Sequence, residues 1–398
     1  MLKQLRAWML LLGVLFGILV WAKPSQAYPW MIRHEYTGCA VCHTDPSGGF
    51  LLTPYGRALT QSLLVTWGKG PEGDEVDSRS GFAWGVPLPE WLNLGASGRE
   101  MYLYTQPTGQ LATSRFIQMQ ADLRAMVTAG HFEAAGSIGY VHRGALPAAV
   151  TRKNSDNIVS REFWLGYRFG EDQNTVLRAG RLYLPFGIRT IDHTLFVRNV
   201  TRTNLDDQQQ WGLSLFHQGE TYRAEVMAIA GNYQIAPDDY RSRGYSGYAE
   251  FVVGKGAGLG LSSLVTYSKI DANLGVEATR GAHGPYLRWA LSPDVALLVE
   301  ADVTHVTPTH GQTEVGAVGM GRLDWEFTRG MHAMLTRELL VDRFQDPAGW
   351  WSHREWATVS WFIYPHVDLR VDGIWDSLWF GTFRADALTA LGQIHVSL

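Results

Sequence analysis

Cysteine is almost missing from this 398-residue chain: there are two, Cys39 and Cys42. A structural zinc site usually draws on four ligands, often several of them cysteine, and two do not supply that set. Charge is also sparse. Asp, Glu, Lys and Arg make up 18% of residues, with a formal net charge of −4. Nucleic acid demands a basic surface to neutralise phosphates, so no nucleic-acid partner is expected. Long apolar runs are confined to residues 7–22, and no later stretch approaches the length of a transmembrane helix. Alternating strand–helix units do not follow either. No Ser-His-Asp or paired-carboxylate set stands out, so hydrolytic chemistry has no candidate residues.

What is present begins with an export pattern. Lys3 and Arg6 precede the apolar run, and Ser25-Gln26-Ala27 is a small-x-small cleavage site. Residues 1–27 read as a signal peptide with Tyr28 as the mature start. A retained anchor helix is the rival reading, but the run is short for a span of about 20 residues. Cleavage would remove Lys3, Arg6 and Lys23 and leave the chain more acidic.

Residues 28–80 form a small first unit holding Cys39-Ala40-Val41-Cys42-His43. C-x-x-C-H is the attachment signature of a c-type haem. Two thiols at this spacing form thioethers to one porphyrin, and the adjacent histidine ligates iron. Cys39 and Cys42 are therefore the covalent sites for one haem c, and His43 the proximal ligand. A thioredoxin-type dithiol is the rival. It would need to open a helix after a buried strand, and the mature N-terminus lies only eleven residues upstream. The distal ligand is not fixed by spacing. His34, Met31, Met126, Met227 and His395 are candidates, and an open site is another. Thr53 caps an expected short helix with Pro54 at its first position. Residues 69–81 are charged and Gly-rich, and 81–90 serve as a linker to the second unit.

From residue 91 to 398 the dominant signal is alternation with period two, the mark of strands. Ile117, Met119, Ala121, Leu123 and Ala125 oppose Gln118, Gln120, Asp122 and Arg124. Val367, Leu369 and Val371 oppose Asp368, Arg370 and Asp372. Strands of roughly 10–15 residues are joined by connections that alternate between tight turns and longer loops, as in bacterial outer-membrane barrels. The fold class expected is all-β: a transmembrane antiparallel barrel of about 16 strands. The N-terminal α/loop segment would plug its lumen. An even count puts both termini in the periplasm of a Gram-negative outer membrane. Tyr102, Tyr104, Trp164, Trp350, Trp351, Trp375 and Trp379 are expected in interfacial girdles. Asp122, Glu133, Arg178, Glu225, Glu300, Arg322 and Asp372 are expected inside, either paired across strands or as a carboxylate-lined cation path. The 184–208 connection, with Arg189, Asp192, His193 and Arg198, is either an infolded constriction loop or a solvated outer loop.

With motif and strand pattern together, the chain resembles fused monohaem cytochrome c–porins of outer membranes, best known from the iron-oxidising group. The segment Gly180-Arg181-Leu182-Tyr183-Leu184-Pro185-Phe186-Gly187 is similar to one common in phosphate-selective-type porins. The lead-in differs from the iron-oxidising pattern. Pro29, Arg33, Thr37 and Gly38 echo it, but Gly38 abuts Cys39 and no Phe-Ala-Arg-Gln run is present. The resemblance implies electron transfer between an extracellular redox partner, with Fe(II) as one donor, and periplasmic c-type cytochromes, in contact with outer-membrane lipid. On that reading the chain is an Fe(II):cytochrome c oxidoreductase or a plain electron carrier. The alternative is a porin for small solutes or anions in which the haem segment plugs or senses.

Overall fold

A computed structural model describes residues 29–34, 36–49, 51–67, 82–140, 158–192, 194–205, 208–233, 235, 237–254, 256–346 and 349–398. The signal peptide 1–27, residues 69–81, the loop 144–157 and His193 lie outside the described residues.

Seventeen strand segments follow one another among the described residues. The first are β1 (Leu92–Pro107), β2 (Thr113–Ala129), β3 (Phe132–Tyr140), β4 (Ile158–Val159), β5 (Phe163–Phe169) and β6 (Thr175–Leu182). Next come β7 (Gln210–Gln218), β8 (Tyr222–Gly231), β9 (Arg243–Val253), β10 (Ala257–Ser268), β11 (Ala278–Ala290) and β12 (Val295–Pro308). The last are β13 (Glu314–Thr328), β14 (Met331–Val341), β15 (Trp350–Tyr364), β16 (Val367–Phe380) and β17 (Phe383–Ser397). The two-residue β4 and β5 both pair with β3, so they share one place in the sheet. Sixteen strand positions result, each antiparallel to its sequence neighbour. The sheet closes where Ser97 of β1 meets Ser397 of β17. Closure leaves no edge for another chain to pair with.

Period two decides which side chains go inside. In β14, His332, Met334, Thr336 and Glu338 are buried, while Leu335 and Leu339 are exposed. In β13, Arg322 and Asp324 are buried, while Leu323 and Trp325 are exposed. Apolar groups outside and charged groups inside invert the pattern of a water-soluble barrel. That arrangement suits strands that face lipid and enclose a polar lumen.

One end of the barrel carries the tight connections, at 130–131, 170–174, 219–221, 254–256, 291–294, 329–330 and 365–366. Gly130 and Gly330 adopt φ of +61° and +79°, a conformation that favours glycine, as hairpins this tight demand. The other end carries the longer loops, except for the two-residue turn 381–382. Strand lengths spread more widely than expected, from two residues in β4 and seven in β5 to seventeen in β2. The girdle expectation also needs correction. Trp164 is 1% exposed and faces inward, where the Arg178 guanidinium lies 5.4 Å from its ring. Trp350 packs against the interior cluster, whereas Trp351 and Trp375 are exposed.

Leu335 sits near the centre of β14 on the outer face, and replacing it tests the lipid-facing assignment. Leu335→Arg should lower stability by about 2–4 kcal/mol in vesicles, the cost of a midplane charge on a barrel's lipid face. Urea titration of vesicle-folded protein checks this. An unchanged midpoint would place that face elsewhere than against lipid.

Candidate functional site

Two pieces of chain fill the lumen, one from each end. The first is the N-terminal segment. Trp30, Met31 and Ile32, in the 3₁₀ stretch Pro29–His34, are buried against Tyr36, Cys42, Leu64 and the wall residues Ala290 and Ala296. Arg33 ion-pairs with Asp324 and reaches Glu326 at 2.8 Å, with its guanidinium 4.6 Å from the Trp30 ring. Asp324 and Glu326 lie on β13 shortly before the tight turn 329–330, and Ala290 and Ala296 flank the tight turn 291–294. The segment leaves the same way, with Thr66 Oγ1 donating to the Arg329 carbonyl at 3.1 Å.

The cysteine turn is held by backbone. The amides of Cys42 and His43 both donate to the Cys39 carbonyl, at 3.1 and 2.9 Å. This places both thiols and the imidazole on a single turn. The chain then returns alongside it: Thr44 N donates to Leu51 O and Thr53 N to Cys42 O, each at 2.9 Å. Thr53 caps the helix Pro54–Leu59 as expected, its Oγ1 accepting from Gly56 N at 3.0 Å. The helix lies so close to the cysteine turn that a Cβ on Gly56 would stand 2.5 Å from the Cys42 carbonyl oxygen.

Charged groups of the wall grip this turn. Arg223 of β8 donates to the Cys39 sulfur at 2.9 Å, and Arg288 of β11 to the Thr37 carbonyl at 2.6 Å. Between the two arginines lies Glu250 of β9, paired with both. Asp45 is fully buried and bound by Arg189 at 2.7 Å and Arg178 at 3.3 Å. Burial alone would raise the Asp45 carboxyl, but the two arginines and the Ser47 amide hold it at about 2.

The second piece is the 183–209 connection, which folds into the barrel, so the constriction-loop reading holds and the solvated-loop reading does not. The Gly180–Gly187 motif makes the entry. Gly187 has φ of +56°, and a side chain there would collide with the Glu300 carboxylate and Arg198. Glu300 accepts from Ile188 N at 2.7 Å and from Arg198. Glu338 accepts from Phe196 N and, at 2.9 Å, from Trp356 Nε1. Asp192 bridges Arg322 at 2.6 Å and Arg370 at 2.5 Å. Arg189 of this loop is also the residue that binds Asp45, so the two pieces meet at that pair.

His43 lies where three cavities of about 190, 90 and 630 Å³ converge. It keeps some exposed surface because it faces these spaces, though it sits deep in the lumen. Burial lowers its pKa to about 4, against the opposing pull of Asp45 and a backbone contact at Gly49. The ring is thus neutral at ordinary pH, the form that ligates metal. Its Nδ1 is buried without a hydrogen-bond partner among the described residues. Cys39 lines the 90 Å³ cavity with His43. Cys42 is buried in the apolar cluster instead, and burial pushes its thiol up to about 12, Cys39 adding to the effect. That is opposite to the lowered pKa of a thiol-exchange centre, whereas a thioether carries no charge to bury. Neutral imidazole, adjacent space and two unpaired thiols together fit a covalent haem.

The distal candidates separate. His34 is turned to Glu326 at 3.4 Å, and Met31 packs in the apolar cluster. His395 lines a cavity with His43, but both its nitrogens are engaged, by Ser97 and by Asp368, each at 2.9 Å. Met227 is buried among Leu182, Ile229 and neighbours and lines none of these cavities. Met126 lines the 630 Å³ cavity together with His43 and is the one sulfur candidate brought there. No cluster of three or more metal-ligating His, Cys, Asp or Glu occurs among the described residues. The expected lumen charges are largely consumed in Arg–carboxylate pairs, which favours the structural over the cation-path reading. Tyr248 and Tyr286 escaped sequence analysis, though each lies two positions before an inward charge, Glu250 and Arg288. The same parity would have found them.

Neither a family model nor a curated protein matches this chain. Solved structures do. A loop-deletion variant of OmpT, an outer-membrane protein of Vibrio cholerae, aligns with TM-score 0.59 at 9% identity, covering 77% of this chain and 99% of that one. Pseudomonas putida OprB aligns with TM-score 0.57 at 10% identity, over 85% and 99%. An anion-selective porin from Comamonas acidovorans aligns with TM-score 0.55 at 12% identity, over 77% and 99%. The fold is that of an outer-membrane β-barrel porin.

Asp192 offers a test of how the loop is held. Burial opposes its ionisation, yet Arg322 and Arg370 keep its carboxyl far below the usual range. A depressed folded pKa contributes stability that is complete above the unfolded value of about 4 and is lost as pH falls below it. Anchoring should therefore persist through neutral and mildly acid pH. Asp192→Ala should destabilise by about 3–5 kcal/mol, since it leaves buried arginines without this partner. It should also raise single-channel conductance at pH 7. Thermal melts and planar-bilayer recordings measure both.

Proposed function

We propose that this chain is an outer-membrane barrel that closes its own lumen with its N-terminal segment and carries there one covalent c-type haem, passing electrons between the two sides. The observation that carries the reading is the position of Cys39-Ala40-Val41-Cys42-His43 inside the barrel, gripped by Arg223, Arg288 and the Asp45 pair. The apolar band of such barrels is about 25 Å tall. A redox group below the band would be insulated from outside donors, whereas one in the lumen has a face toward each end. The haem, when bound, supplies a one-electron couple at its iron.

Each residue then has a task. Cys39 and Cys42 tether the porphyrin, and His43 offers a neutral imidazole to the iron. Arg33, with Asp324 and Glu326, fixes the segment at the tight-turn end. The infolded loop, tied by Asp192, Glu300 and Glu338, excludes bulk water from the other side. The C-terminus lies at the tight-turn end, where Ser397 N donates to the His366 carbonyl, and we assign that end to the periplasm, where c-type cytochromes are the partners. The extracellular partner meets the loop end, and Fe(II) is one candidate donor.

A second reading is a porin for small solutes or anions whose haem segment plugs or senses. It is favoured by the fold neighbours, among which is a protein described as an anion-selective porin.

Haem-stained denaturing gels of the exported full-length chain test the first part. The band should stain, and Cys39→Ser/Cys42→Ser should abolish it. Bilayer recordings decide between the readings. Low conductance in the wild type, rising several-fold in Arg33→Gln, together with reduction of a dye inside vesicles by an external donor, is expected of a conduit. High wild-type conductance without dye reduction would establish the porin reading instead.

A further inference from the structure

His43 also lines the 190 Å³ cavity, and there neither cysteine accompanies it. Three arginines reach this space: Arg57 from the helix Pro54–Leu59, Arg99 of β1 and Arg124 of β2. Among the described residues, no carboxylate side chain lines it. Arg57 is 8% exposed, and its guanidinium donates to the Leu94 carbonyl rather than to a carboxylate. Burial lowers its pKa, with no acid pulling the other way. The segment packs this closely on β1 because residue 95 is glycine; a side chain there would collide with Leu51. Arg99 has no hydrogen-bond or ion-pair partner among the described residues. Arg124 shares Asp122 with Arg161, at 3.3 and 2.9 Å. A guanidinium taken out of water without an acid beside it is costly, so charge of one sign gathered here points to an absent anion.

Strand order limits where that anion comes from. Arg223 of β8 holds Cys39, and Arg288 of β11 holds Thr37 beside it. Arg99 and Arg124 stand on β1 and β2, about half-way round the closed sheet from those two strands. A haem joined at Cys39 and Cys42 carries its propionates on the ring edge remote from the thioethers. We infer that the 190 Å³ cavity receives that edge, with Arg57 and Arg99 pairing with the propionate carboxylates. Leu51, Leu52, Ile191 and Leu205 line the same cavity and suit the apolar ring. The inference rests on the haem reading. The chemistry recognised is that of an oxyanion, and a free oxyanion entering the lumen is the other source.

The experiment uses the exported full-length chain. Arg99→Gln removes one charge without breaking an ion pair of the described residues, and Arg99→Lys keeps the charge. Arg384→Gln, at an exposed site on β17, is the control. Haem content is measured first. With haem present, loss of a cation beside a propionate favours the oxidised state, which carries one more positive charge. The midpoint potential should fall in Arg99→Gln and hold in Arg99→Lys and Arg384→Gln. An unchanged potential in Arg99→Gln, or an equal fall in all three variants, overturns the inference. If no haem is attached, the haem reading fails by itself, and inorganic phosphate serves as the probe. Phosphate raising the melting temperature of the wild type but not of Arg99→Gln would support the oxyanion site with a free ion as its ligand. No response in either protein would overturn it.

Discussion

A ring of sixteen strands encloses more space than its own inward side chains can fill. The rest of the structure answers that constraint. Filling the lumen with chain brings backbone amides and charged wall groups out of water together, and each buried polar group then needs a partner. The N-terminal segment and the infolded loop supply those partners. Glu300 and Glu338 accept backbone amides of the loop, and Arg288 donates to a backbone carbonyl of the segment. The wall is therefore not a passive tube, since its charges are the binding surface for the plug.

The pair Arg189–Asp45 connects the two insertions. One partner belongs to the loop entering from the long-loop end, the other to the segment entering from the tight-turn end. Arg178 of β6 adds a wall contact, and Glu225 of β8 pairs with Arg178 in turn. A buried charge that loses its partner costs several kcal/mol, so movement of either insertion exposes the other to an unpaired ion. The two are coupled by electrostatics. His43 lies two residues from Asp45, so the junction is also what holds the cysteine turn in place.

Much of the barrel was legible. Alternation in 120–127 and 367–372 gave the correct inward face, because a side-chain period of two leaves only two choices; in 115–119 a bulge opposite Arg99 and Glu100 reverses it, leaving Phe116 outside and Ile117 and Met119 against the interior cluster. Turn residues gave every connection at the tight-turn end but missed the two-residue turn 381–382 at the other end. Thr53 and Pro54 marked a real helix start, since capping is local chemistry. Trp164 was misassigned for an equally physical reason: aromatic rings suit both a lipid interface and an interior cation–π contact, and residue type does not choose between them. The partners of Arg33 stand some 290 positions away in sequence, and no local pattern announces a pairing at that range.

The sequence by itself determined a strand-rich chain with polar and apolar faces in strict alternation and one turn with two thiols beside an imidazole. Those features depend on neighbours within a few residues, so local spacing suffices to read them. Only the tertiary structure decided that the 183–209 connection turns inward, that the cysteine turn lies inside the barrel, and that Met126, rather than His34 or Met31, shares a cavity with His43. These outcomes depend on which charges face one another across a closed lumen. Closure is a property of all sixteen strands at once, and no single stretch of sequence contains it.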